Sequence, residues 1–441
     1  MNRMRRFWIA VAVILAALLA ACDDPRSAED PAASPTTVQR EATADSTTGS
    51  PTTTPAPSAA PSSAPLSEAR DLDELGDAAE LVNLVEAFWR EVDDDLGFEY
   101  DNVSVDRLVP RSGLLDGSAT DECSWENDVE ILYEEDVEEN AFVTICDEGI
   151  TVVYDDVDYM PDLEQRFPGA GNAMLFAHEW GHVIQFQLGF DDQSSLLAEQ
   201  QADCWSGAYA AWAERNRIDP FDDPASLDLA IISTLETRDE IGGNPMDEGA
   251  HGNGFDRVRA TQEGYELGAK FCFDYTEESL PITQFQFTDS FDLLNNGNLP
   301  YAEAVELLSE ETAMYFESLT DESLDQYVDL PDDQTLENLY DGIGDNAIGT
   351  EYAFRYAESL QESLDLETET RDAVLQRSCL VGSWLYDVSQ QEEITLSPFD
   401  LDEAVQTLST SNDLLSNPGL VFDMVAELRI GTFDGVSACD L

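Results

Sequence analysis

The chain has 441 residues, of which 93 are acidic and only 20 basic, giving a formal net charge of −73 at neutral pH. A surface of that sign repels phosphate backbones and excludes nucleic acid as a partner. Lys270 is the single lysine. Such a charge repels itself unless salt screens it, over about 10 Å at 0.1 M and about 3 Å at 1 M, so the composition points to a saline habitat.

Arg3, Arg5 and Arg6 lead into an uncharged apolar run from Phe7 to Ala21, too short for a membrane span, and residues 1–22 read as a signal peptide. Its end, Leu19-Ala20-Ala21-Cys22, has the form of a bacterial lipobox. Cys22 is therefore expected to carry a lipid and to anchor the mature chain at the extracellular face of the cell membrane. Residues 23–66 are mostly Ser, Thr, Pro and Ala, too poor in large apolar side chains to offset their ordering entropy, and read as a disordered tether. The remainder is expected to be α+β, with one domain at 67–280 and a mostly helical domain at 281–441.

Leu81, Leu84, Val85, Phe88, Trp89 and Val92 predict an amphipathic helix from Asp77 to Val92. Two β-branched runs, Ala141 to Ile145 and Ile150 to Tyr154, flank Gly149 and predict a hairpin. A helix is expected from about Asn172 to Leu188, closed by Gly189, and another capped by Ser194 or Ser195 and running to about Arg215. Apart from Cys22 there are six cysteines, an even number in an exported protein. Sequence order suggests the disulfides Cys123–Cys146, Cys204–Cys272 and Cys379–Cys439.

Within the third of these elements lies His178-Glu179-Trp180-Gly181-His182. Histidines four apart on a helix project from one face and can grip one zinc ion, with Glu179 beside the first ligand to take a proton from a zinc-bound water. A catalytic zinc needs a third protein ligand and an open position. Glu199 on the next helix can supply the ligand, and Asp203 one turn on can accept the free N–H of a zinc-bound histidine. His251, in a glycine-rich loop, has three readings: stabiliser of a developing oxyanion, third ligand in place of Glu199, or a surface residue without a role. The strand from Ile150 to Tyr154 either offers an edge to an extended substrate or is scaffolding.

These residues resemble the bacterial neutral zinc metallopeptidases, a zincin-like family. The resemblance rests on Asn140-Ala141-Phe142 with Cys146 and Tyr154-Asp155, on His178 to His182 followed by Gln185, on Glu199-Gln200-Gln201-Ala202-Asp203-Cys204 with Gly207, and on His251-Gly252 ahead of Gly264-Tyr265 and Cys272. It spans about Val82 to Phe273. It implies one zinc held by His178, His182 and Glu199, with Glu179 as catalytic base, and the pairings Cys123–Cys146 and Cys204–Cys272. The C-terminal half departs from that pattern, yet Cys379-Leu380-Val381-Gly382 echoes Cys204-Trp205-Ser206-Gly207, as a worn second copy would. Such a copy is catalytically dead, since no histidine follows His251.

The expected function is a zinc-dependent, lipid-anchored endopeptidase acting on peptides or proteins. A non-catalytic zinc-stabilised envelope protein and a zinc hydrolase of a non-peptide bond are the alternatives.

Overall fold

Val82, Val85, Phe88 and Trp89 recur every three or four residues and bury one face of the helix Ala78–Leu96 (α1). The computed structural model describes residues 78–441 except 120–121, 126–127, 147–148, 191–192, 248, 284, 288–289, 321–322, 392–395 and 411–417. The expected signal peptide, Cys22, the tether and residues 67–77 lie outside the described residues. Among the described residues no helix is long and apolar enough to cross a membrane.

A small mixed sheet follows α1. Leu108–Pro110 (β1) runs parallel to Gly149–Tyr154 (β5), which pairs antiparallel with Ala141–Cys146 (β4) from Ala141↔Tyr154 to Cys146↔Gly149. Glu122–Trp125 (β2) and Asp128–Ile131 (β3) form a separate antiparallel pair. Strand β5 is central, with Val152, Val153 and Tyr154 all buried, as suits a strand covered on both faces. β4 takes one edge of β5 along its whole length and β1 takes the other at Val152 to Tyr154, so those three residues offer no edge to a substrate.

The rest is helical: Ala170–Leu188 (α2), Ser195–Asn216 (α3), Ala225–Glu236 (α4), Gly254–Leu267 (α5), Tyr301–Glu317 (α6), Asp333–Gly342 (α7), Asp345–Ser363 (α8), Arg371–Ser389 (α9), Asp400–Thr410 (α10) and Leu420–Asp434 (α11). The class is thus α+β with helix dominant. Local chemistry sets the ends of the helices that matter most. Gly189 closes α2 in the left-handed region at φ 70, and the Ser194 side chain caps α3 by accepting from the Leu197 N–H.

Helices α3 and α5 touch backbone to backbone. A Cβ on Gly207 would overlap the Thr261 carbonyl, and one on Gly264 the Cys204 carbonyl, so only glycine permits the approach. Cys204–Cys272 ties α3 to the short helix Ala269–Cys272 that follows α5. The arrangement recurs in α9 and α11, where Gly382 meets the Leu428 carbonyl, Gly431 meets the Cys379 carbonyl, and Cys379 bonds Cys439.

Polar contacts repeat as well. Gln185 Nε2 donates to the Ala198 carbonyl and Gln201 Oε1, while Gln201 Nε2 donates to the Cys272 carbonyl. Gln361 does the same with Ala373 and Gln376, and Gln376 with Cys439. Cys146 is also disulfide-bonded, but the side chain of its expected partner Cys123 lies outside the described residues.

Carboxylates join the two helical sets reciprocally. Asp228 on α4 accepts from the Gly419 and Phe422 N–H groups at the start of α11, both at 2.8 Å. Asp402 on α10 accepts from the Gly254 and Phe255 N–H groups at the start of α5, at 2.9 and 2.7 Å. Each carboxylate satisfies orphan donors and complements the positive end of a helix dipole. Gln262 on α5 adds a 2.8 Å bond to the Phe422 carbonyl, and the apolar core runs through both sets.

Buried acids accumulate near this junction. Asp345, Asp400 and Glu403 bring their oxygens within 4.8 Å of one another. Burial raises Asp256, Asp345 and Asp402 to about 6. It lifts Asp400 and Glu403 well above the ordinary carboxylate range.

Two outcomes follow from these contacts. Gly264→Ala should cost about 3 kcal/mol or more in urea unfolding, because a carbonyl rather than a movable side chain is in the way; a loss below about 1 kcal/mol would refute the close approach. The raised acids bind protons more tightly folded than unfolded. Their stabilisation is complete below the unfolded value of about 4 and is lost as pH rises through about 6. At constant salt the melting temperature should be higher at pH 5 than at pH 8 by roughly 5 °C or more. A flat or opposite trend would count against these buried protons.

Candidate metal centre

Helices α2 and α3 pack closely because residue 181 is glycine. A Cβ there would lie 2.8 Å from the Ala202 Cα. This contact turns the face bearing His178 and His182 toward Glu199 and Asp203. His178 Nε2 lies 3.1 Å from His182 Nε2 and 3.1 Å from Glu199 Oε2, and His182 Nε2 lies 3.3 Å from Glu199 Oε1. Zinc holds nitrogen and oxygen ligands at about 2.0–2.2 Å, which spaces tetrahedral ligands roughly 3.3 Å apart. The three donors match three corners of that figure.

The remaining imidazole nitrogens fix the tautomers. His178 Nδ1 donates to Asp203 Oδ1 at 2.8 Å, and His182 Nδ1 donates to Gln185 Oε1 at 2.9 Å. The Gln185 amide is itself oriented by its two donated bonds, so its oxygen must face the ring. With Nδ1 carrying a proton on both rings, Nε2 is the position left on each for a second proton or a metal ion, and both Nε2 atoms point into one small space.

The charges agree with this geometry. Burial works against a charge on His178, but the anions of Asp203 and Glu199 overcome it and raise the imidazole to about 10. Burial likewise opposes ionisation of Glu199, which the two histidines nevertheless hold well below the usual carboxylate range. Asp203, also buried, is kept low by Arg257 and His178. Arg257 reaches it from α5 through two bonds, Nε to Oδ2 and Nη2 to Oδ1, both 2.8 Å. The pocket is built to favour positive charge at the histidine nitrogens.

Glu179 is the exception. Burial pushes its carboxyl up against the pull of both histidines, and its Oε2 has no hydrogen-bond partner among the described residues. A buried carboxylate oxygen without a partner is suited to a transient proton.

His251 lies before α5, with a side chain 48% exposed and Nε2 3.9 Å from Glu199 Oε2. The grouping of donors within 4.8 Å comprises His178, His182 and Glu199 and leaves His251 outside. Its Nδ1 is 3.5 Å from Asp239 Oδ1, and Asp239 also accepts the His251 and Gly252 N–H groups at 3.0 and 2.8 Å. A cavity of about 760 Å³ opens in front of these residues, lined by His178, Glu179 and His251 and by Asn140 and Ala141 at the start of β4.

Sequence reasoning missed Arg257 and Asp239. Arg257 left a trace, because with 20 basic residues in 441 an arginine inside a helix is conspicuous. Asp239 left none among so many acids.

Counting from the shared glutamines and cysteines, Phe354, Arg355, Glu358 and Val374 stand where α2 and α3 carry His178, Glu179, His182 and Glu199. Arg377 pairs with Glu358 there and lies 5.1 Å over the Phe354 ring. An internal cation thus meets the carboxylate of the second helix set. No protein-family model, curated protein or solved structure matches the chain.

Proposed function

We propose that this protein is a zinc-dependent endopeptidase of the zincin-like type. The observation that carries this reading is the convergence of His178 Nε2, His182 Nε2 and a Glu199 carboxylate beside the unpartnered Oε2 of Glu179. In the same reading Cys22 carries a lipid that holds the enzyme at the outer face of the cell membrane. The helices α8 to α11 are then a copy of α2 to α5 that has lost its metal ligands.

When bound by His178, His182 and Glu199, zinc supplies Lewis acidity toward a carbonyl and a water of lowered pKa. Glu179 accepts the proton of the attacking water at Oε2 and returns it to the leaving amine. Its raised carboxyl pKa suits both halves of that transfer. Asp203 and Gln185 hold the two imidazoles in the tautomer that leaves Nε2 free. His251, held by Asp239, stands on the cavity side of Glu199, where it can donate to an oxyanion.

The decisive test pairs elemental analysis with hydrolysis of a mixed peptide library at high salt, on the full chain and its Glu179→Gln variant. Bound zinc in both, with turnover in the variant reduced about 10²–10⁴-fold, is expected. Bound zinc without cleavage by the parent would overturn the peptidase reading, and absence of zinc would overturn the metal site. Asp203→Asn should weaken zinc binding about 10–100-fold in a competitive chelator titration. An unchanged affinity would remove Asp203 from the support of His178.

A further inference from the structure

The cavity combines an apolar floor with a rim of one charge. Leu163, Met174 and Leu175 line it, and Leu163 and Met174 are buried beneath its surface. Around them stand the exposed carboxylates Glu139, Asp158, Asp162 and Glu236.

The two arginines that line the cavity are already engaged. Arg257 is bound to Asp203. Arg238 donates to the Leu235 carbonyl at 2.9 Å, lies 3.4 Å from Asp402 and covers the Phe399 ring. Behind the rim, Arg111 is shared among Glu138, Asp155 and Asp158, and Arg166 between Asp162 and Glu236. Carboxylates outnumber guanidiniums in both clusters, so the rim stays negative after these pairs are counted.

The wall is held in place rather than loosely tethered. Asp155 is fully buried and accepts the N–H groups of Glu139, Val157 and Asp158 at 2.8, 2.9 and 3.0 Å, which fixes the segments bearing Glu139 and Asp158.

We propose that this cavity selects a lysine or arginine side chain of a peptide substrate. The methylene stem lies over Leu163, Met174 and Leu175, and the cation reaches the carboxylate rim, as long basic side chains do at apolar surfaces edged with acid. Acidic peptides are repelled by the same field. This inference rests on the peptidase reading and names the substrate class of its site.

The test compares matched peptides that differ only in one lysine, glutamine or glutamate, cleaved by the zinc-loaded full chain. At 0.1 M salt the kcat/KM of the lysine peptide should exceed that of the glutamine peptide about fivefold or more, with the glutamate peptide slowest. The ratio should fall toward unity at 1 M salt, and should fall at least by half in the Glu139→Gln, Glu236→Gln double variant. Being a ratio, it does not depend on the fraction of folded enzyme. A lysine-to-glutamine ratio near one in the parent would overturn the proposal, as would a ratio untouched by both salt and the double variant.

Fluorescence anisotropy of the same peptides on zinc-loaded Glu179→Gln reads the preference without turnover. Tighter binding of the lysine peptide supports the inference even if the parent cleaves nothing, a result that would sink only the peptidase reading. Equal binding of all three peptides would overturn the inference by itself.

Discussion

The centre depends on one buried ion pair, Arg257 with Asp203, and on the helix contact that makes it possible. A guanidinium and a carboxylate taken from water each carry a large desolvation cost, which is offset only when the geometry is good and the spare donors are satisfied. Here both bonds to the carboxylate are 2.8 Å, and the remaining nitrogen, Nη1, donates to the Thr237 carbonyl. The pair can form because Gly207 and Gly264 let α3 and α5 meet along their backbones. His178 then inherits its tautomer from Asp203, and the direction of its Nε2 from the packing of α2 on Ala202. A site on α2 and α3 is thus positioned by α5, which contributes no donor to it.

Cations are scarce in this chain, and carboxylates take over tasks that cations or hydroxyls often share. Asp228 and Asp402 cap helices of the opposite set, Asp155 gathers a loop, and Asp203 orients a histidine. The arginines sit where acids would otherwise face one another without relief, as Arg111 and Arg166 do. The second helix set shows the same economy: Arg377 meets Glu358 at the position matching His182, so this set needs no external ion to balance that carboxylate.

Much of this was legible in the sequence. Spacing alone placed α1, the β4–β5 hairpin, α2 with its Gly189 cap and α3 with its Ser194 cap, because each is set by local periodicity and end residues. The pairings Cys204–Cys272 and Cys379–Cys439 also agree with sequence order. The parallel partner of β5 was not legible: Leu108–Pro110 is three residues long and lies far away in the chain. That hidden strand turned an expected edge into a sheet centre. Asp239 and the reciprocal caps were invisible for a related reason, since one acid among 93 acquires its partner only from tertiary structure.

The exchange of caps between Asp228 and Asp402 bears on how the chain tolerates breakage. A helix whose first N–H groups depend on a carboxylate from the other half loses that partner if the half is made alone. Neither half is then complete, although the covalent link between them carries none of these bonds. A nick in the segment after Tyr275 and before α6 would leave both caps, Gln262 on Phe422 and the shared core in place. The two fragments would stay together as a heterodimer, and halves supplied separately would be expected to reassemble by complementation.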